Sequence, residues 1–377
     1  MSILTIISHT EHYKTPDGTI VGLGSTVTEI NNLVDVFDSI VHVAMLHDVS
    51  APSSALPYTS NKITFVPLPA VGGTNVISKL DIIWKAPKMI GIIKKALDAS
   101  DYFQFRAPTG IGVFVIPYLV LFNKNKGWFK YAGNWKQENA PLAYSFQRWL
   151  LKKQKRRVTI NGKWQDQQNH CLTFENPCLT EAEVKAGRGV VSNKKFDNNS
   201  VDFCFVGRLE EEKGIGLLVN AFKNLSVDFQ KQVGTIHIVG DGKLREYFQN
   251  QTKDIGLNFE FYGYLSRKDV HHIYKISHAI ILPSASEGFP KVISEAMNYG
   301  CLPIVSNVSS ISNYVIDSKN GFLLSEITEE GLKDKIQKML NLSEVIYLRM
   351  IASNDSNIYK FTYSYYNDRI KTELLSI

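Results

Sequence analysis

SASEGFPKVISEAMNYGCLPIVSN, residues 284–307, decides the fold of this chain, because it reads as a loop, a helix and a buried strand in that order. Gly288 lets a backbone approach a ligand closely, and Pro290 suits the first position of a helix, where its missing N–H does no harm. Val292, Ile293, Ala296 and Met297 recur on one face at helical spacing, with Glu295 on the flank at a rim and Gly300 placed to end the helix. Free amides and the positive end of the helix dipole favour anionic oxygens at the start of this helix. The carboxylates of Glu287 and Glu295, on either side of that start, accept hydrogen bonds from hydroxyl groups. A plainer reading makes Glu287 a complement to the helix dipole and Glu295 a solvated surface acid.

Two upstream segments favour the ligand reading. VDFCFV at 201–206 is a β-branched and aromatic run typical of a buried parallel strand, and it opens into GRLEEEKG at 207–214. Arg208 and Lys213 therefore sit on a strand-to-helix loop, which in an open α/β sheet lies at the ligand-binding ends of the strands. TIHIVGDG at 235–242 is another strand entering a glycine-bearing loop, where Gly240 and Gly242 would let a base or ribose pack against backbone. Two cations, a helix start and hydroxyl-accepting acids together suit both parts of a nucleoside diphosphate sugar.

GRLEEEKG, VGDG at 239–242, and Glu287 followed by Glu295 resemble, in order and spacing, glycosyltransferase family 4 (glycosyl transferases group 1), the retaining enzymes of the GT-B fold. The match is specific over about residues 201–325. It implies two Rossmann-like, doubly wound parallel-sheet domains facing a central cleft. It also implies that Arg208 and Lys213 bind the donor diphosphate and that Glu295 contacts the ribose. Glu287, with the turn through Gly288, Phe289 and Pro290, would hold the transferred sugar and its phosphate. Cell-surface polysaccharide or glycolipid synthesis is the setting the resemblance suggests, with UDP or GDP as the carrier and a saccharide or lipid-linked acceptor.

The remaining chain agrees with a two-lobed α/β reading. A chain of 377 residues with 44% apolar content divides more readily into two cores than one. SILTIIS at 2–8, IVHVAML at 40–46, KITFVPLP at 62–69 and DYFQFR at 101–106 read as parallel strands of the first lobe. FEFYG at 259–263, HAIILP at 278–283 and LPIVS at 302–306 read as strands of the second, followed by a long helical segment from about residue 328. KAGRGVVSNKKFDNNS, 185–200, reads as the linker, giving an acceptor domain over 1–196 and a donor domain over 197–359. In the resembled fold the last helix, about 360–377, packs back on the first lobe.

The first lobe departs from the family. HTEHYKTPDGTIVGLGSTVTEI, 9–30, places Gly22 and Gly24 ahead of a helix, where they would admit phosphate or acceptor or form a plain βα turn. Val27 stands where a dinucleotide fingerprint needs a third glycine, which disfavours a nicotinamide enzyme. Where family members often carry an active-site histidine, QFRAPTGIG at 104–112 offers Arg106 as a replacement contact, with His9 and His12 as alternatives.

Charge is uneven: residues 1–196 hold 23 Lys and Arg against 14 acids, whereas residues 197–377 hold 19 against 22. Residues 122–163 hold eleven basic side chains and one acid, Glu138, interleaved with Trp128, Phe129, Trp135, Phe146, Trp149 and Leu150. That composition suits an anionic membrane surface, or a solvated basic face over core aromatics; nucleic acid is not the expected partner. Cys171, Cys178, Cys204 and Cys301 show no CxxC pair, as expected of reduced thiols in a cytoplasmic protein, peripheral at most on the inner face of the membrane. The longest apolar run, IGVFVIPYLVLF at 111–122, is too short to span a bilayer, and the opening segment lacks a signal peptide's pattern. No DxD occurs, so basic side chains are expected in place of a divalent cation, with no cofactor. A glycosidase using Glu287 and Glu295, a nucleotide-sugar epimerase, a phosphorylase and a silent nucleotide-sugar-binding protein are the competing classes.

Overall fold

The computed structural model describes residues 2–71 and 76–376. It divides into two units, residues 1–175 with 363–377, and residues 176–362.

In chain order the first unit contains β1 (Ile3–Lys14), β2 (Ile20–Leu23), α1 (Gly24–Asn32), β3 (Ser39–His47), β4 (Ala55–Pro57), β5 (Ile63–Pro69), α2 (Val76–Asp98), β6 (Tyr102–Ala107), α3 (Gly112–Leu121), β7 (Lys126–Tyr131), α4 (Leu142–Lys153), β8 (Val158–Ile160) and β9 (Cys171–Thr173). Strands β5, β3, β1, β6, β7, β8 and β9 are parallel neighbours, while β2 and β4 extend the sheet antiparallel beside the far end of β1. Period-two alternation separates two cores. Ile7, Phe103, Phe105 and Phe129 face α2, α3 and α4, whereas Leu4, Ile6, Ile40 and Trp128 face the other side.

The second unit contains α5 (Glu181–Asn193), β10 (Val201–Val206), α6 (Ile215–Lys223), α7 (Val227–Gln230), β11 (Val233–Val239), α8 (Arg245–Thr252), β12 (Asn258–Gly263), α9 (Arg267–Ile276), β13 (Ala279–Leu282), α10 (Lys291–Asn298), β14 (Leu302–Ser306), β15 (Phe322–Leu324), α11 (Glu329–Leu340), α12 (Glu344–Ala352) and α13 (Asp355–Ile358). Its strand order is β12-β11-β10-β13-β14-β15, all parallel. This is the doubly wound order, in which successive connections leave the first strand in opposite directions. β10 serves both cores, Phe203 and Phe205 packing on one side and Cys204 and Val206 on the other. A strand buried on both faces explains why FCFV, residues 203–206, is apolar without alternation. The final helix, α14 (Tyr363–Arg369), belongs to the first unit, where Arg369 Nη1 bonds the Thr173 carbonyl at 2.6 Å.

Three sequence expectations are corrected. The units divide at 175/176 and 362/363, not at 196/197 and 359/360. Residues 181–193 form α5, opened by a Thr180–Glu183 capping box, where the sequence reads as a linker. Gly187 and Gly189 weaken the helical signal, yet Gly187 is required because a Cβ there would overlap the Asn298 carbonyl of α10. The single long helix from residue 328 is instead α11, α12 and α13 in succession.

Candidate functional site

The second unit concentrates its chemistry at the carboxyl ends of β10 and β13, where its strand order reverses. The loops there are stitched together by backbone. Gly207 N bonds Val239 O at 3.0 Å, Leu209 N bonds Asp241 O at 3.0 Å, and Gly240 N bonds Gly263 O at 2.8 Å. On the other side Ala285 N bonds Glu212 O at 3.0 Å.

This stitching gives the glycines of VGDG a task within the protein. Gly240 has φ +132°, and a Cβ there would overlap the Gly207 carbonyl oxygen; at Gly242 it would stand 2.6 Å from the Leu209 carbonyl. Both glycines admit the neighbouring loop, whereas the sequence suggested space for a base or ribose. Gly214, at φ +77°, caps the turn Glu211–Lys213 and lies against Pro283.

Lys213 and Glu287 meet across the two loops, Nζ to Oε1 at 2.5 Å, with the side chains 22% and 12% exposed. Arg208 is 68% exposed and bonds Glu210 at 3.0 Å. Pro290 is the N-cap and Lys291 the first residue of α10, one position later than the sequence suggests. Gly288 is anchored by Ser310, Oγ to carbonyl oxygen at 3.0 Å. Phe289 is buried between Tyr314 and Phe361, ring centroids at 4.8 and 5.1 Å, which fixes the turn from below.

Glu295 is not at a solvated rim. It is 8% exposed, and its Oε1 accepts from Arg267 Nη1 at 2.7 Å. The same guanidinium holds Glu183 through Nε at 2.8 Å and Nη2 at 2.9 Å and bonds the Cys178 carbonyl. Burial alone would raise the Glu183 carboxyl, but Arg267 outweighs it and holds the group below the usual range. Arg267 and Glu183 escaped the sequence reading because they lie far from Glu295 in the chain. Also missed were Ser284, Ser306 and Ser309 beside the Glu287 turn, whose buried hydroxyls find no protein partner among the described residues. Ser309 adopts φ +52°, an uncommon conformation for a residue with a side chain.

In the first unit Gly22 and Gly24 do not form an open loop. Gly22 lies in β2 opposite His12, whose imidazole fills the place a Cβ would take. Gly24 begins α1, and a Cβ would stand 2.7 Å from the Ser54 carbonyl. Arg106 is committed to an internal partner: it and Lys130 both pair with Glu29, which is 3% exposed. His12 and His42 are fully buried, and Tyr58 Oη lies 2.8 Å from His12 Nε2 and 2.5 Å from His42 Nδ1. Ser8 Oγ lies 2.8 Å from His42 Nε2. Burial pushes His12 down to about 4 and His42 well below the ordinary imidazole value. Tyr58 also lines a cavity of about 750 Å³ with Lys14, Thr19, Ser60, Asn61 and Phe65. Among the described residues no group of His, Cys, Asp and Glu is placed to hold a metal ion, and no helix is long and apolar enough to cross a membrane.

Comparison with known proteins bears on the family and the fold. Residues 191–354 match glycosyl transferases group 1. An uncharacterized glycosyltransferase of Methanocaldococcus jannaschii is 30% identical over 157 residues, 41% of this chain and 43% of that one. The Campylobacter jejuni GalNAc-alpha-(1->4)-GalNAc-alpha-(1->3)-diNAcBac-PP-undecaprenol alpha-1,4-N-acetyl-D-galactosaminyltransferase is 25% identical over 167 residues, 44% of each chain. The chain thus spans less than half the length of the first curated relatives it matches. Among solved structures, Anabaena HepE in complex with UDP and glucose has a TM-score of 0.69 at 16% identity, covering 100% of both chains. At that identity the likeness establishes the fold, GT-B, as the sequence resemblance implied.

Proposed function

We propose, from the match of residues 191–354 to glycosyl transferases group 1, that this chain transfers a hexose or related sugar from a nucleoside diphosphate sugar, UDP- or GDP-linked, to a saccharide or lipid-linked acceptor in cell-surface polysaccharide or glycolipid synthesis. One observation carries this reading: Lys213 meets Glu287, three residues before the N-cap of α10, at the strand-order reversal of the second unit, with Arg208 on the same loop as Lys213. The HepE complex with UDP and glucose supports UDP as carrier, and the undecaprenol-linked acceptor named for the Campylobacter relative supports a lipid-linked one.

As the anomeric carbon loses its nucleoside diphosphate, negative charge gathers on the leaving oxygens. Arg208, Lys213 and the amides at the start of α10 oppose that charge, while Glu287 orients the sugar and Glu295, held by Arg267, accepts from the ribose. Lys213 exchanges part of its hold on Glu287 for the diphosphate. Transfer proceeds with retention, and without a metal cofactor, since fixed cations do the electrostatic task of a divalent ion. The cytoplasm, at the inner face of the membrane, is the proposed site of action.

The test is turnover with a panel of UDP and GDP sugars and an acceptor extract, in EDTA. Arg208→Ala should lower turnover about 10²- to 10³-fold, roughly 3–4 kcal/mol. Near-parental turnover in that variant overturns the diphosphate role. Epimerised donor without transfer would identify an epimerase, and binding without turnover a silent module.

A further inference from the structure

The sequence makes residues 122–163 one basic surface, but the fold scatters it. Lys130 is buried on Glu29, Arg148 bonds the Asn134 and Gln137 carbonyls at 3.2 and 2.7 Å, and Arg156 bonds the Leu119 and Asn123 carbonyls at 2.6 and 2.5 Å. Trp128 and Trp135 are core residues. Part of the apparent membrane signal is therefore internal structure.

What remains of it at α4 joins a wider surface. Helices α2, α3 and α4 all cover one face of the first unit's sheet, burying Met89, Ile93 and Leu97, Val115 and Leu119, and Leu151 in one core. On the side of α4 away from that core, Leu142, Phe146, Trp149 and Lys153 follow at spacings of four, three and four, and the three apolar residues are 90%, 40% and 56% exposed. A surface helix normally keeps polar residues there. α2 repeats the arrangement, with Trp84 87% exposed and exposed Lys88 and Lys95 on the same outward stripe. α3 and α4 run side by side in parallel, Gln147 bonding the Thr109 carbonyl near one end at 2.8 Å and Arg156 the Leu119 carbonyl near the other. The end of α3 adds Leu121 and Phe122, 71% and 74% exposed. Neither α3 nor α4 contains an acidic residue.

We propose that this outward α2–α3–α4 face docks on an anionic phospholipid surface, with Trp84, Trp149 and Phe146 entering the headgroup–acyl boundary and the lysines reaching headgroup phosphates. Outward tryptophans with lysines at their flanks suit an interface that is apolar below and negative above. The inference deepens the transfer reading by naming the surface that presents a lipid-linked acceptor; it rests on that reading for its purpose and not for its observations.

The experiment compares the parent chain with a Trp84→Ser/Phe146→Ser/Trp149→Ser variant, by flotation with phosphatidylglycerol vesicles, phosphatidylcholine vesicles and no vesicles, at low and high salt. The parent should float with phosphatidylglycerol at low salt, shift its tryptophan emission to the blue, and detach as salt rises. The variant should bind at least about tenfold more weakly, since each buried aromatic contributes about a tenfold factor or more. Its melting temperature and its turnover of a soluble acceptor should match the parent's, because these side chains are exposed and outside the donor site. Equal flotation of parent and variant, equal binding to phosphatidylcholine, or a concentration-dependent dimer dissolved by the same substitutions overturns the proposal. A chain that floats as expected but transfers no sugar overturns the proposed function and leaves this face standing.

Discussion

Lys213, on the loop after β10, donates to Glu287, on the loop after β13, Nζ to Oε1 at 2.5 Å. Seventy-four positions apart in the chain, the two meet because β10 and β13 are parallel neighbours whose loops leave the same edge of the sheet. In the proposed transfer the pair gives each residue a separable part.

Lys213→Ala should weaken UDP binding at least about tenfold, because it removes a cation from the diphosphate and leaves Glu287 to repel it. Glu287→Gln should bind UDP as well as the parent or better, yet transfer sugar at least about a hundredfold more slowly. Titration calorimetry with UDP alongside turnover measures both. Equal loss of UDP binding in the two variants would place Glu287 on the nucleotide instead of the sugar.

The glycines of the neighbouring loops make a prediction about stability. Gly240→Ala would drive a Cβ into the Gly207 carbonyl, a backbone atom that cannot rotate away, and should cost more than the roughly 1–3 kcal/mol of backbone strain alone. Gly256 also has positive φ, +78°, but a Cβ there meets nothing within 4 Å, so Gly256→Ala should cost only about 1–2 kcal/mol. Urea denaturation of both proteins separates strain from collision.

Glu29 in α1 is the acid shared by Arg106 of β6 and Lys130 of β7, all three largely removed from solvent. Glu29→Gln keeps the shape but deletes the charge, and should destabilise the protein by about 3–5 kcal/mol. Thermal melting of purified protein is the check. A change below about 1 kcal/mol would show that the two cations are balanced by other groups.

Stability should also fall in mild acid. His12 is held down to about 4, chiefly by burial, whereas an unfolded histidine titrates near 6.5. Between those values the unfolded chain binds the extra proton, so stability is fully present above pH 6.5 and is lost as pH falls toward 4. The shift corresponds to a loss on the order of 3 kcal/mol from His12, and His42 acts in the same direction. Circular-dichroism melts from pH 7 to 4 should show a steep fall in the parent and a shallower one in His12→Gln. A pH-independent melting temperature would contradict the buried, neutral assignment.

Strands buried on both faces were plain in the sequence, VDFCFV and LPIVS above all, because burial on two sides demands a mostly apolar run whatever the neighbours are. Strand β7 was harder, since KGWFKY carries lysines at both ends of an aromatic centre and reads as basic surface; only pairing with β6 turns Lys130 inward onto Glu29. Helix α5 was hidden by Gly187 and Gly189, of which the first is explained by contact with α10. The antiparallel β2 and β4 left no pattern a sequence reader would separate from a loop.

By itself the sequence determined the alternation of strand and helix, the resemblance carried by residues 201–325, and the acids and cations that mark the second unit, because periodicity and motif spacing are local properties. Tertiary structure decided which partners those residues have. Glu295 turns to Arg267, Gly240 to Gly207, Arg106 to Glu29, and Trp84 of α2, outside the basic run, shares an outward exposure with Trp149 of α4, inside it. The reason is physical: an ion pair, a close backbone approach or an exposed stripe depends on which distant segments the sheet order brings together, and that order is settled by packing of the whole unit, beyond the reach of any short stretch of chain.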